Sequence, residues 1–156
     1  MTRRRAVALA LLLLLGACST SPATSPRPAG FADTKPGPQM ELQVVQSAIG
    51  DVLADHQQHT LYRNEKDPTD PPKSTCVEAA CTMTWVPLLA GEVQRTIGVD
   101  AGLLGMIERP EGPKQVTLKG YPLYRYVHDE QAGDVKGDGI DGVWFAVGPD
   151  GEKARD

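Results

Sequence analysis

Tyrosine, aspartate and tryptophan recur in one order in this chain. Leu61-Tyr62-Arg63 is followed by Asp67 and then by Trp85; Leu123-Tyr124-Arg125 is followed by Asp129 and then by Trp144. The tyrosines and aspartates repeat at an offset of 62 residues and the tryptophans at 59, an ordered set that points to a duplicated unit. A phenol donates a hydrogen bond, a carboxylate only accepts, and an indole brings a large ring with one donor. Exposed, such groups line a binding site; buried, the rings build a core and the aspartates accept bonds in turns, which is the expected role. The candidate binding residues are Tyr62, Asp67, Trp85, Tyr124, Tyr126, Asp129 and Trp144. Because Tyr126 stands where the first copy has Asn64, a ligand site is expected to be asymmetric and nearer Tyr124, Tyr126 and Asp129.

A different chemistry belongs to Cys18. Arg3, Arg4 and Arg5 precede ten consecutive apolar residues, Ala6–Leu15. Ten residues rise about 15 Å as a helix, roughly half a bilayer core, so this is a signal segment and not a span. It ends in Leu15-Gly16-Ala17-Cys18, which resembles the lipobox of bacterial lipoproteins, whose cysteine is acylated and becomes the new N-terminus. Residues 1–17 are thus expected to be a lipoprotein signal peptide and Cys18 a lipidation site carrying palmitate-like chains. Each buried methylene contributes about 0.8 kcal/mol, and several chains on one residue make a durable anchor. Residues 18–42, with Pro22, Pro26, Pro28, Pro36 and Pro38 among serines and threonines, cannot bury enough surface to order and are expected to form a disordered tether. The expected location is the extracytoplasmic face of a cell membrane.

The formal net charge is −4, and loss of the three leader arginines makes it three units more negative. An acidic surface argues against nucleic acid and against docking on anionic lipid. Cys76 and Cys81 remain as a C-x4-C pair, which in an oxidising compartment closes a short disulfide loop worth about 2 kcal/mol. A redox-active or metal-binding pair is the sharper alternative, although the C-x-x-C spacing is missing. His56 and His59 would point to opposite faces of a strand and, with His128, are expected at the surface. Asp134, Asp138 and Gly139 fit positions one, five and six of a calcium loop. Lys136 at position three and Phe145 in place of the bidentate glutamate argue instead for a solvated hairpin loop. Nothing has the spacing of a nucleophile elbow, an S-x-x-K pair or an H-E-x-x-H helix, so no enzyme, no metal and no cofactor is expected.

The elements that must position these groups read as strands. Val116 and Leu118 alternate with Gln115, Thr117 and Lys119, a period of two. Tyr121–Val127 follows a Gly120-Tyr121-Pro122 turn, and Trp144–Val147 ends at Gly148-Pro149-Asp150-Gly151. Val52-Leu53, Thr60–Arg63, Met83–Val86 and Leu104–Ile107 are further strands, with Gly105 a bulge or close-packing point. Helical periodicity is weak and confined to Gln43–Val52 and Val93–Leu104. With turn signals every 8 to 15 residues, a mainly β fold follows: a small antiparallel domain of two related halves over residues 43–151, then a disordered tail over 152–156.

At these residues the chain resembles the "secreted repeat of unknown function" family of bacterial lipoproteins, marked by a Y-x-[FWY]-x-x-D motif. Tyr124-Arg125-Tyr126-Val127-His128-Asp129 fits in full; Tyr62-Arg63-Asn64-Glu65-Lys66-Asp67 has Asn64 where an aromatic is expected. Cys76, Cys81 and Trp85-Val86-Pro87-Leu88 resemble the family's C-x4-C and W-P-P-L region, with Val86 replacing the first proline. Gly112, Gln115-Val116-Thr117, Gly120 and Pro122-Leu123-Tyr124 resemble the lead into its second motif. The resemblance covers about residues 50 to 151 and implies no activity. Two functions follow as expectations. The preferred one is a non-enzymatic, membrane-anchored envelope module that binds an envelope protein, a cell-wall component or a small ligand. The other is a redox or metal-handling accessory using Cys76, Cys81 and the histidines.

Overall fold

A computed structural model describes residues 41–154 except Gln94. The signal segment, Cys18 and the tether up to Met40 lie outside the described residues, as do Arg155 and Asp156.

The described residues begin with a hairpin, β1 (Glu41–Ser47) and β2 (Gly50–Ala54). Ala48 and Ile49 make its turn, where the Ser47 hydroxyl donates to the Gly50 carbonyl at 2.7 Å and accepts from Ile49 N at 3.2 Å. The weak helical period over Gln43–Val52 is therefore wrong: a two-residue turn splits it, and the apolar residues pair across strands. Next come β3 (Leu61–Asn64), a single helical turn α1 (Ala79–Thr82) and β4 (Trp85–Pro87). The other weakly helical segment, Val93–Leu104, holds β5 (Arg95–Ile97) and a 3-10 turn at Ala101–Leu103. A second hairpin follows, β6 (Leu104–Glu108) with β7 (Lys114–Leu118), then β8 (Tyr121–Pro122), β9 (Tyr124–Tyr126) and β10 (Trp144–Ala146).

Three small sheets result, ordered β2-β1-β5, β6-β7-β8 and β10-β3-β9-β4. Every strand pair is antiparallel except β1 with β5. In the central sheet the halves alternate. The tryptophan strand β4 of the first half pairs with β9 of the second, and β10 of the second pairs with β3 of the first. Tyr62 faces Tyr124 at the centre, Trp144 pairs with Asn64, and Trp85 with Tyr126. Exchanging the two halves maps this register onto itself, an approximate twofold. The flanking bonds obey it too: Leu53 N donates to Val147 O at 2.7 Å, as Val116 N does to Leu88 O at 2.9 Å.

Successive residues of a strand point to opposite faces, so each Leu-Tyr step feeds two cores. Leu61 and Leu123 join Leu42, Leu53, Leu88, Val116, Leu118 and Val147. Tyr62 and Tyr124 join Val52, Trp85, Trp144 and Ala146 on the other side. Two expected boundaries move. Leu42 is fully buried and begins its strand at Glu41, so the domain starts before residue 43. At the other end Ala154 is 3% exposed and its N–H donates to Ala146 O at 2.8 Å, so residues 152–154 are ordered and not a tail.

The period of two in β7 misjudged burial. Gln115 and Thr117 are as hidden as Val116 and Leu118. Gln115 is satisfied there: Nε2 donates to Leu123 O at 2.8 Å, and Oε1 accepts from Arg109 Nη1 at 2.6 Å. Gly105 pairs in regular register with Thr117, and a Cβ there would come within 2.8 Å of the Thr117 hydroxyl oxygen. It is a close-packing point and not a bulge.

Candidate functional site

Each half lends its aspartate to the other half's tyrosine. The Tyr62 hydroxyl donates to Asp129 Oδ2 at 2.6 Å, and the Tyr124 hydroxyl donates to Asp67 Oδ2 at 2.6 Å. The second oxygens are held alike: Asp129 Oδ1 accepts from Lys136 N at 3.0 Å, and Asp67 Oδ1 from Thr75 N at 2.7 Å. The hydroxyls are held in turn, Tyr62 accepting from Gly137 N at 3.3 Å and Tyr124 lying 2.7 Å from the Ser74 hydroxyl. Gly137 is required by this approach, since a Cβ would stand 2.9 Å from both the Tyr62 and Trp85 rings.

Burial, joined by the facing carboxylate, pushes both phenols far above their ordinary range, so both remain protonated donors. Burial likewise raises the Asp129 carboxyl, against the pull of the bonds from Tyr62 and Lys136 N. Between the halves the two indoles stack with centroids 3.9 Å apart and planes 6° from parallel. Each meets a tyrosine edge-on, Trp85 with Tyr62 at 5.4 Å and Trp144 with Tyr124 at 5.1 Å.

Six of the seven candidate binding residues therefore belong to the interior: Tyr62, Asp67, Trp85, Tyr124, Asp129 and Trp144 are each 5% exposed or less. Their groups bind one another. Tyr126 is the exception; half-buried, it lies 4.5 Å from the Trp85 ring and 5.2 Å edge-on to His128. It lines an open pocket of about 170 Å³ with His59, Val86, Arg125, Val127 and Asp129. Asn64, at the equivalent place, is buried and accepts from Lys66 N at 2.9 Å, which explains the missing aromatic.

Cys76 and Cys81 form a disulfide. Their loop steadies Ser74 beneath Tyr124 and presents the Cys76 carbonyl to Arg109 Nη2 at 2.8 Å. Thiol counting on the folded protein should find this pair unreactive. Cys76→Ala should cost about 2 kcal/mol of unfolding free energy, the chain-entropy value for so short a loop, with an unchanged urea midpoint as the contrary result. Asp138 Oδ1 accepts from Ala146 N at 3.0 Å, and Asp134 Oδ2 accepts from Glu130 N and Gln131 N, each at 3.0 Å. Among the described residues no three His, Cys, Asp or Glu side chains gather as a metal site would need.

The chemistry that the sequence did not single out is a pair of equivalent arginines, Arg63 and Arg125. Arg63 is 4% exposed, bound to Glu65 at 2.9 Å and stacked 4.1 Å from the centre of the Tyr121 ring. Arg125 Nε binds the fully buried Asp55 at 2.5 Å. The Leu-Tyr-Arg triplet carries the signal for this pair in its third residue.

Two halves that complete one another's sheet and one another's tyrosine contacts define a duplicated β domain that closes only as a pair. The sequence pattern of a family described as a secreted repeat of unknown function matches residues 43–89 and again residues 105–148. Together these matches span more than half of the chain, and the protein belongs to that family. Comparison with curated proteins and with solved structures finds no match. No helix among the described residues is long and apolar enough to cross a membrane.

Proposed function

We propose that this protein is a membrane-anchored envelope lipoprotein whose duplicated domain is a non-enzymatic interaction module. The observation that carries the anchor is Leu15-Gly16-Ala17-Cys18 at the end of a basic, then apolar, leader. Acyl chains on Cys18 supply the anchoring free energy, and the proline-rich stretch holds the domain off the surface. The interaction role is supported by how the polar groups are used. The phenols and carboxylates that could do acid–base work are locked to one another inside, whereas Tyr126, Val86 and Val127 meet solvent around one pocket.

Fractionation of cells tests the anchor. Cys18→Ala should release the protein from the membrane or leave its leader uncleaved. A variant processed and retained like the parent rejects the lipobox. Pull-down from intact cells with the lipidated chain, against the Cys18→Ala control, tests the module: envelope components should co-purify only with the anchored form.

A further inference from the structure

The two halves differ at one sheet edge. Met106 faces Val116 as Val44 faces Leu53, and Val116 N donates to Leu88 O as Leu53 N does to Val147 O. Exchanging the halves therefore carries β1 to β6. The outer edge of β1 is covered by β5, which pairs with residues 41–43 and brings Gly98 so near that an added Cβ would stand 3.0 Å from the Val44 side chain. Among the described residues no strand pairs with the outer edge of β6, the last strand of its sheet. The reason lies in where each half goes next. After Leu88 the first half continues through the turn at Ala90–Glu92 to β5. After Val147 the second half turns at residues 148–151 and folds back on β10, with Ala154 N donating to Ala146 O at 2.8 Å.

The open edge presents bonding groups and apolar surface together. Both backbone groups of Val116 are spent, on Leu88 O and Leu123 N, so those of Met106, directly opposite, point outward. Alternation turns the Glu108 N–H and the Leu104 carbonyl outward as well, whereas Leu104 N–H is bonded to Ala101 O. The Met106 residue is 66% exposed and borders a pocket of about 120 Å³ whose other walls are Ala90, Val93, Leu104, Gly105 and Val116. Neither proline nor lysine, the residues that blunt an edge, occurs in β6.

We propose that β6 pairs antiparallel with β6 of a second copy about a twofold axis through Met106, making the protein a homodimer. The inference goes beyond the interaction module and holds whether or not Cys18 is acylated. Three features select a second copy. First, the outward groups match themselves: Met106 exchanges two bonds with the partner's Met106, and on each side a Glu108 N–H meets a Leu104 carbonyl. Second, the two Met106 side chains fall on the same face of the joined sheet, so each lies at the mouth of the other copy's apolar pocket. Third, like charges stay apart. Glu108 stands two residues from the axis, about 14 Å from the partner's Glu108, beyond the roughly 8 Å over which charges act in physiological salt. Lys114, 3.7 Å from Glu108, offsets that charge within each copy. A twofold contact closes on itself, so pairing stops at two. Strands of five residues make a contact smaller than the roughly 1,200 Å² of a standard interface, so the dimer is weak and concentration-dependent.

Cysteine cross-linking in intact cells expressing the full chain tests the register. Met106→Cys should give a disulfide dimer on non-reducing gels after mild oxidation. Hydrogen-bonded antiparallel pairs hold their Cα atoms about 5.5 Å apart, inside the roughly 4.4–6.8 Å that a disulfide spans. Glu108→Cys, at a side chain 80% exposed, should give at least about tenfold less dimer, because about 14 Å is out of reach. Yields are read relative to the parent chain, in which Cys76 and Cys81 are paired with each other and any dimer comes from Cys18. Sedimentation of the purified full chain in detergent gives a second measure. The parent's mass should rise toward twice the monomer with concentration, and Met106→Lys, which sets two ammonium groups face to face, should stay monomeric. Position 106 is exposed, so the variant's thermal midpoint should match the parent. Equal dimer yields from Met106→Cys and Glu108→Cys overturn the proposal. So does a parent that stays monomeric at every concentration, or self-association that Met106→Lys leaves intact. A Met106→Cys chain that cross-links only to a different protein overturns it in favour of a foreign strand on this edge.

Discussion

Replacing Trp144 with alanine should remove about 3 to 5 kcal/mol of stability, and Trp85→Ala a similar amount, with either change bringing the domain close to unfolding at 25 °C. Both indoles are 5% exposed or less and lie against each other at 3.9 Å between the halves. Truncating a buried tryptophan costs about 3–5 kcal/mol, and a stacked aromatic pair adds about 0.5–1.5 kcal/mol beyond the area it buries. A small domain has about 5–15 kcal/mol in all, so one truncation consumes a large share. Each indole also braces a tyrosine whose hydroxyl is bonded across the twofold, so the loss reaches both halves. The double variant should cost less than the sum of the single ones, because the first truncation already dissolves the stack. Urea melts followed by far-ultraviolet circular dichroism give all three values. A loss below 1 kcal/mol for Trp144→Ala would remove the indole pair from the centre of the fold.

The repeat was legible because it lies in local order: triplet, aspartate, tryptophan, twice. What the order implies in space was legible in part. Tyr62 and Tyr124 occupy matching strands, Asp67 and Asp129 the turns after them, and Trp85 and Trp144 pack together near the twofold. The interleaving was not legible. A duplicated unit is equally consistent with two halves that each complete their own sheet, and only the long-range pairing of β10 with β3 and of β4 with β9 decides between them.

Burial was the harder quantity. Periodicity assigns Gln115 and Thr117 to solvent because it reads polarity alone, and it cannot see Arg109 folding in to satisfy the glutamine. Composition made residues up to 42 a tether and residues after 151 a tail. Single apolar side chains, Leu42 and Ala154, tie both ends down. The candidate binding residues carry groups capable of binding, and that same capability lets them satisfy one another in the interior. The copies differ where Tyr126 stands against Asn64: Tyr126 is half-buried beside an open pocket, and Asn64 is buried.

Tyr62→Phe should cost about 1–3 kcal/mol at neutral pH, and the cost should shrink in acid. Phenylalanine fills the same space, so packing hardly changes; what is lost is the donor to Asp129 Oδ2, leaving a buried carboxylate oxygen without its partner. The Tyr62 bond pulls the Asp129 carboxyl down against burial, so the variant lets it rise further. A carboxyl whose folded value lies above its unfolded value, about 3.9, favours the folded state when protonated. That advantage is fully present below the unfolded value and is lost as pH rises through the folded one. The penalty of Tyr62→Phe therefore grows with pH across the folded carboxyl's titration and is smallest where Asp129 carries its proton. Urea melts of parent and variant near pH 4 and at pH 7 measure both ends. Asp129→Asn should flatten the dependence, because an amide does not titrate, and combined with Tyr62→Phe it should show less than additive loss. Tyr124→Phe, facing Asp67 at the same 2.6 Å, should match in size at pH 7, since the twofold gives each tyrosine one aspartate of the other half. A Tyr62→Phe penalty equal at both pH values would show that Asp129 does not respond to its phenol. A penalty under 0.5 kcal/mol at pH 7 would show that the reciprocal exchange is not what locks the halves together.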